Sequence, residues 1–196
     1  MWPFCPESKL SGLALGNSRY MTNVWYRRSF ELPASMKGKR ILLHFGGVDY
    51  KAWAYVNGQL VGTHVGENAA FAFEVTSFLK EGPNELVVRA YDHLRGGLQP
   101  GGKQAHNKSE GCVYTRTTGI WQPVWLEAVG SSYVEAFTVV PDPEHARVLI
   151  EAGVNGTDPE LELKAEAFAD GKRVGSDSAT GTWRNRRLVV ELKKTR

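Results

Sequence analysis

Apolar residues in this chain come in short runs that alternate with polar ones, and nearly every run stops at a turn signal. A two-residue period sends successive side chains to opposite faces, so such runs form half-buried strands. The clearest case is Ala52-Trp53-Ala54-Tyr55-Val56, which leads into Asn57-Gly58 and then Gln59-Leu60-Val61-Gly62. Asn-Gly between two apolar runs favours a type I′ hairpin turn, because both central residues need positive φ. Further strands are expected over Val24–Phe30, Arg40–Phe45, Phe71–Val75, Glu85–Tyr91 and Val124–Ala128. Thr76–Lys80 reads as one helical turn capped by Thr76 and broken by Glu81-Gly82-Pro83-Asn84. Gly130-Ser131-Ser132 reads as a domain junction. Beyond it, strands are expected at Ser132–Val140, Ala146–Val154, Leu161–Ala169 and Leu188–Leu192, with a weak one at Arg173–Ser178. Short strands with turn signals at about 8–12-residue spacing indicate an all-β sandwich.

Composition narrows the function classes. The hydrophobic fraction of 42% supplies a real core. The net charge of +3 is mild, and the Lys and Arg residues are scattered among acids. A nucleic-acid reader would gather them on one stripe, so no nucleic-acid partner is expected. Lys193-Lys194-Thr195-Arg196 reads as a solvated tail. No apolar run approaches the ~20 residues that span a bilayer, so no membrane partner is expected. Met1-Trp2-Pro3-Phe4-Cys5-Pro6 lacks the basic-then-apolar order of a secretory signal, and the choice between cytoplasm and periplasm stays open. Cys5 and Cys112 are too few for a disulfide scaffold and read as buried thiols, with their pairing left open. No metal is expected. Neither cysteine has a CxxC partner or a His at ligand spacing, and His64, His93, His106 and His145 lack an i, i+4 helical pair. His44 sits in an apolar strand and reads as a core or face residue. No cofactor is expected either. The sequons Asn107-Lys108-Ser109 and Asn155-Gly156-Thr157 read as chance matches.

A long irregular piece, Asp92 to Glu110, carries Gly96-Gly97 and Gly101-Gly102 around Pro100. A loop of this length inside a compact domain is often functional. It feeds Cys112-Val113-Tyr114-Thr115-Arg116-Thr117-Thr118-Gly119-Ile120-Trp121-Gln122-Pro123-Val124-Trp125-Leu126-Glu127, in which large apolar residues alternate with polar ones. This stretch resembles the motif that closes the first β-domain of family 2 glycoside hydrolases, the β-galactosidases, β-glucuronidases and β-mannosidases. Trp25-Tyr26-Arg27-Arg28-Ser29-Phe30-Glu31-Leu32-Pro33, Gly38 to Tyr50, Val56 to Gly62 and Gly82 to Arg89 are similar to successive segments of the same family, in the same order.

The resemblance implies a galactose-binding-like jelly roll over residues 1–131, then an incomplete immunoglobulin-like β-sandwich over 132–196. A seven-strand sandwich takes about 100 residues. The second part is shorter, so it is expected to stop before its last strand and leave a sheet edge open to pairing. The resemblance also places the bond-breaking carboxyls in a later barrel. No catalytic residue is therefore expected here, and the chain alone is expected to be inactive. Asn84-Glu85 runs straight into Leu86-Val87-Val88, so Glu85 reads as structural. The expected partners are a β-linked glycoside, met through the full-length enzyme, and a C-terminal catalytic domain; a homo-oligomer stays open.

What this chain can offer is a binding contribution. Sugars are held by aromatic faces and by planar polar side chains that fix hydroxyls. The loop and its exit strand supply Arg95, Gln99, Lys103, Gln104, Glu110, Tyr114, Arg116 and Trp121. Of these, Gln104, Glu110, Tyr114, Arg116 and Trp121 form the candidate substrate-binding set. The resemblance implies a sugar-contacting Asp six residues before Gly119, and Val113 occupies that position. Trp121, Trp125 and Tyr114 also fit a core role, which is favoured for Trp125. Arg27 and Arg28 are expected to pair with acids across the sheet. A free-standing carbohydrate-binding module and a structural β-sandwich protein without a sugar site remain as alternative functions.

Overall fold

The computed structural model describes residues 4–156, 160–181 and 184–193. Residues 194–196 of the expected tail and Thr157 of the second sequon lie outside them. The described residues form antiparallel strands and short 3-10 turns, with no α-helix among them. The chain divides into two compact units, Met1–Ala128 and Val129–Arg196.

The first unit is built from β1 (Asn23–Glu31), β2 (Arg40–Phe45), β3 (Val48–Asp49), β4 (Lys51–Val56), β5 (Gln59–Val65), β6 (Phe71–Glu74), β7 (Pro83–Tyr91), β8 (Gly119–Ile120) and β9 (Val124–Val129). One sheet has the order β1-β7-β4-β5, a second has β6-β2-β9, and β3 pairs with β8. Inward residues of both large sheets meet in one core: Ile41, Leu43 and Phe45 from β2, Ala52, Ala54 and Val56 from β4, and Leu86, Val88 and Ala90 from β7. Tyr26, Phe30, Phe71, Phe73, Val124 and Leu126 pack around them. The two facing sheets thus make a β-sandwich. Burying a side chain the size of Phe45 contributes about 1.5–3 kcal/mol.

The hairpin between β4 and β5 turns at Asn57 and Gly58, with φ of 51° and 80°. Val56 and Gln59 face each other across it, as a two-residue turn requires. Asn57 also staples the tip, because its Nδ2 donates to Asn84 Oδ1 (2.8 Å) and its Oδ1 accepts from Glu85 N (3.0 Å). Asn84 is buried, and its Oδ1 also accepts from Lys80 N (2.9 Å). Glu85 pairs with Arg27 on the neighbouring strand, a structural role. Thr76 does not cap the turn at 76–78; Val75 stands at the cap position. The Thr76 hydroxyl instead accepts from Ile41 N (2.9 Å) on β2, because that neighbouring strand end offers an otherwise unpaired donor.

The second unit has β10 (Tyr133–Asp142), β11 (Arg147–Asn155), β12 (Glu162–Ala169), β13 (Lys172–Thr180) and β14 (Asn185–Glu191). The order β10-β11-β14 makes one sheet, and β12-β13 is a hairpin. β13 is full length although its sequence reads as weak, because β12 supplies a pairing partner from Glu162↔Thr180 to Ala169↔Lys172. Side-chain and backbone bonds tie β13 to β14 and to the residues after it: Val189 N donates to Asp177 Oδ2 (2.7 Å), and Lys193 N to Val174 O (2.8 Å). Ala152, Val154, Leu188 and Val190 are buried, while Phe137, Val139, Val140 and Phe168 are exposed.

Candidate functional site

The long loop leaves β7 at Tyr91 and returns at Gly119, and side-chain bonds rather than regular structure hold it in place. Arg116 is the principal one. Its guanidinium is buried and donates to four backbone carbonyls: Ala105 (3.3 Å), His106, Asn17 (3.4 Å) and Arg19. It also lies 5.2 Å from the ring centre of Tyr20. Arg95 lies 4.6 Å from that same ring, and its Nε donates to His106 Nδ1 (2.7 Å). Together these contacts bind the loop to the N-terminal segment around Asn17–Tyr20.

Gln104 is the second anchor. Its Nε2 donates to Asp49 Oδ2 (2.9 Å) and its Oε1 accepts from Thr117 N (2.8 Å). The loop doubles back beside it, since Ala105 N donates to Tyr114 O (2.7 Å) and Tyr114 N to Lys103 O (2.8 Å). Gln99 plays a parallel part on Asp92, donating from Nε2 to Oδ1 (2.7 Å). Glu7 Oε2 accepts from Thr118 N (3.2 Å). The loop ends at Gly119, where φ is 81° and a Cβ would lie 2.2 Å from the Tyr26 hydroxyl. That hydroxyl accepts from Ile120 N (3.0 Å), so only glycine lets the chain pass this close.

Three carboxyls are thus buried under the loop: Glu7, Asp49 and Asp92. Burial, reinforced by the charge of Asp92, pushes Asp49 up to about 7, against the Gln104 bond that favours its ionised form. Burial raises Asp92 as well. Burial, reinforced by the charge of Glu7, pushes the Tyr26 phenol above its usual range, against the bond from Ile120 N that favours its ionised form. Burial lowers His64, which stacks on Phe71 with ring centres 3.9 Å apart. A hydrolytic carboxyl must touch the glycosidic oxygen or the anomeric carbon. Asp49 is 2% and Asp92 1% exposed, so neither reaches a substrate in this arrangement; both serve as acceptors that hold the loop.

The candidate substrate-binding residues separate into two groups. Gln104 and Arg116 face inward and fix the loop's shape. Tyr114 is 62% exposed, and Glu110 is exposed and lies 3.5 Å from Lys108 Nζ. Trp121 is half-buried, donates from Nε1 to Glu67 O (3.0 Å), and its backbone N donates to Gly47 O (3.3 Å). Arg95 and Lys103 are exposed, Gln99 is half-buried, and so is Val113. Cys5 and Cys112 are both free thiols, the latter exposed. Trp125 is not core: it is 45% exposed and stacks on His44, with ring centres 4.8 Å apart. Sequence reasoning missed Glu7, Asp49 and Asp92. The available signal was a lone carboxylate next to a strand of buried residues, as at Gly46-Gly47-Val48-Asp49. Among the described residues no cluster of His, Cys, Asp and Glu is arranged to hold a metal ion.

A family model described as glycosyl hydrolase 2 galactose-binding domain-like matches residues 16–122. A β-galactosidase of Thermoanaerobacter pseudethanolicus is 31% identical over 120 residues, which cover 60% of this chain and 15% of that protein. A putative β-glucuronidase of Formosa agariphila is 28% identical over 115 residues, covering 59% and 13%. The solved structure of Bacteroides uniformis β-glucuronidase 2, covalently bound to cyclophellitol-6-carboxylate aziridine, superimposes with a TM-score of 0.66 at 26% identity. That match covers 91% of this chain and 21% of the enzyme. The chain therefore spans about 13–15% of the length of these curated relatives.

Proposed function

Since this chain belongs to the glycosyl hydrolase 2 galactose-binding domain-like family, we propose that it forms the non-catalytic N-terminal part of a β-glycoside hydrolase of the β-galactosidase and β-glucuronidase kind. On this reading residues 1–131 are a sugar-binding-type jelly roll and 132–196 part of an immunoglobulin-like sandwich. Together they support a catalytic barrel carried by further polypeptide. The loop at 92–118 walls the substrate cleft. Gln104 and Arg116 set its shape, while Tyr114, Glu110 and Trp121 supply the aromatic and polar groups that meet sugar. The observation that carries this reading is the matched length: relatives named as whole glycosidases are several times longer, and this chain aligns with a small share of each. The burial of Asp49 and Asp92 supports it, because the best-placed carboxyl pair here acts as a loop anchor. The paired-on-one-side state of β10 and β12 agrees with a second sandwich that further strands complete.

Two measurements test this. The coding sequence read past codon 196 is expected to continue into a (β/α)₈ barrel; a stop codon there would sink the proposal and leave a free-standing binding module. Purified chain is expected to leave chromogenic β-galactosides and β-glucuronides intact. Turnover that disappears in Asp49→Ala would place chemistry in this chain instead.

A further inference from the structure

The outer face of the β1-β7-β4-β5 sheet carries an arrangement that neither the core nor the loop explains. Trp25 on β1 stands opposite Arg89 on β7, and Arg89 stands opposite Trp53 on β4. In the adjoining row Tyr91 lies between Asn23 and Lys51. The Arg89 guanidinium is 5.8 Å from the Trp25 ring centre and 4.6 Å from that of Trp53, and Lys51 Nζ is 4.8 Å from Trp53. Asn23 Oδ1 accepts from both Nε (3.0 Å) and Nη2 (2.8 Å) of Arg89, which locks the guanidinium between the two indoles. Trp25 is 60% exposed, while Trp53, Tyr55 and Tyr91 are half-buried. Arg27 in the next row is paired with Glu85, so Lys51 and Arg89 are left as cations without a carboxylate partner among the described residues.

We propose that this face is a carbohydrate-binding platform, separate from the loop, that takes a β-linked oligosaccharide bearing uronate groups. Two properties point to that occupant. Indole faces pack on the C–H surface of a pyranose ring; Arg89 and Lys51 already lie over Trp53, so the stacking face is that of Trp25, 60% exposed on the edge strand. Lys51 and Arg89 beside the rings complement carboxylates, with Arg89 already oriented by Asn23. The platform works without the barrel and without the loop at 92–118, so it stands or falls separately from the proposed function.

Calorimetric titration of the full 196-residue chain with a hyaluronan hexasaccharide tests the idea, with cellohexaose as the neutral β-linked control. The expected result is binding of hyaluronan that weakens with added salt, and markedly weaker binding of cellohexaose. Trp25→Ala is expected to weaken the hyaluronan interaction about tenfold, and Lys51→Gln to reduce it in the same direction. Trp25 sits on an edge strand and is exposed, so an unchanged thermal midpoint will show that the variant is folded. Phe168→Ala, an exposed aromatic of the second unit, is expected to leave this binding unchanged. Absence of hyaluronan binding at millimolar concentration, equal affinity for cellohexaose, or binding that Trp25→Ala leaves unchanged would each overturn the proposal. So would self-association of the chain that Trp25→Ala abolishes, which would make the face a contact between copies.

Discussion

The two units are built from the same kind of strand, yet they handle their interiors differently. In Met1–Ala128 two sheets close over Ile41, Phe45, Val56 and Val88, and the buried polar groups other than Asn84 at the hairpin tip are gathered apart, beneath one loop. In Val129–Arg196 the buried apolar set is Val129, Ala152, Val154, Leu188 and Val190, all of modest size, and Arg186 is buried in the same strand as two of them. Arg186 Nη1 donates to Ala179 O, but Nε and Nη2 have no partner among the described residues. The lesson is that strand pairing alone sets the pattern of a β-sandwich, while the depth of its stability depends on what lies between the sheets.

Four substitutions test that contrast. Phe45→Ala removes the largest fully buried side chain of the first unit and is expected to cost about 4 kcal/mol. Hydrogen exchange at β2 and β4 amides reads this directly. Leu188→Ala, read at β11 and β14, is expected to cost only about 2 kcal/mol, because its half-exposed neighbours can close in. Equal losses would erase the difference between the units. Asp49→Asn comes next. The folded Asp49 titrates near 7, whereas an unfolded Asp titrates near 4. Between those values the folded chain holds a proton that the unfolded chain has released. Stability is therefore highest below about pH 4 for this group and falls as pH rises through about 7. Asp49→Asn is expected to raise stability by about 3 kcal/mol at pH 8 and to flatten the pH profile between 5 and 8. Urea midpoints across that range would show a flat wild-type profile if the carboxyl were in fact well solvated. The smallest effect is Arg186→Met, expected to stabilise the second unit by about 1 kcal/mol by replacing a poorly partnered buried cation with apolar volume. A clear loss of stability instead would mean that the guanidinium is better satisfied than its geometry implies.

Much of this architecture could be read from residue order. The Asn57-Gly58 turn was legible because a single dipeptide fixes two positive φ values, and the alternation in β4, β7 and β12 matches their burial. The length of β13 was not, since Arg173–Ser178 has little apolar content and its order comes from pairing with β12. In the candidate site the composition of the loop was legible, but the direction of its side chains was not. Arg116 and Gln104 carry the same donors whether they face sugar or backbone. Only the long-range neighbours, Asn17, Arg19 and Asp49, decide which. Trp125 shows the opposite error: a large aromatic in a strand is expected inside, but it lies on the outer row with His44 and Glu127.

Arg116 also dictates an order of events in time. It joins carbonyls of Asn17 and Arg19 to a loop nearly a hundred positions further along the chain. Closing so wide a circuit costs chain entropy before any of its bonds can form. Pairing of β1 with β7 from Asn23↔Tyr91 shortens that circuit, so the strands of the first unit are expected to register before the loop locks onto the amino-terminal segment. The last region to mature is the one with which this protein is proposed to meet its sugar.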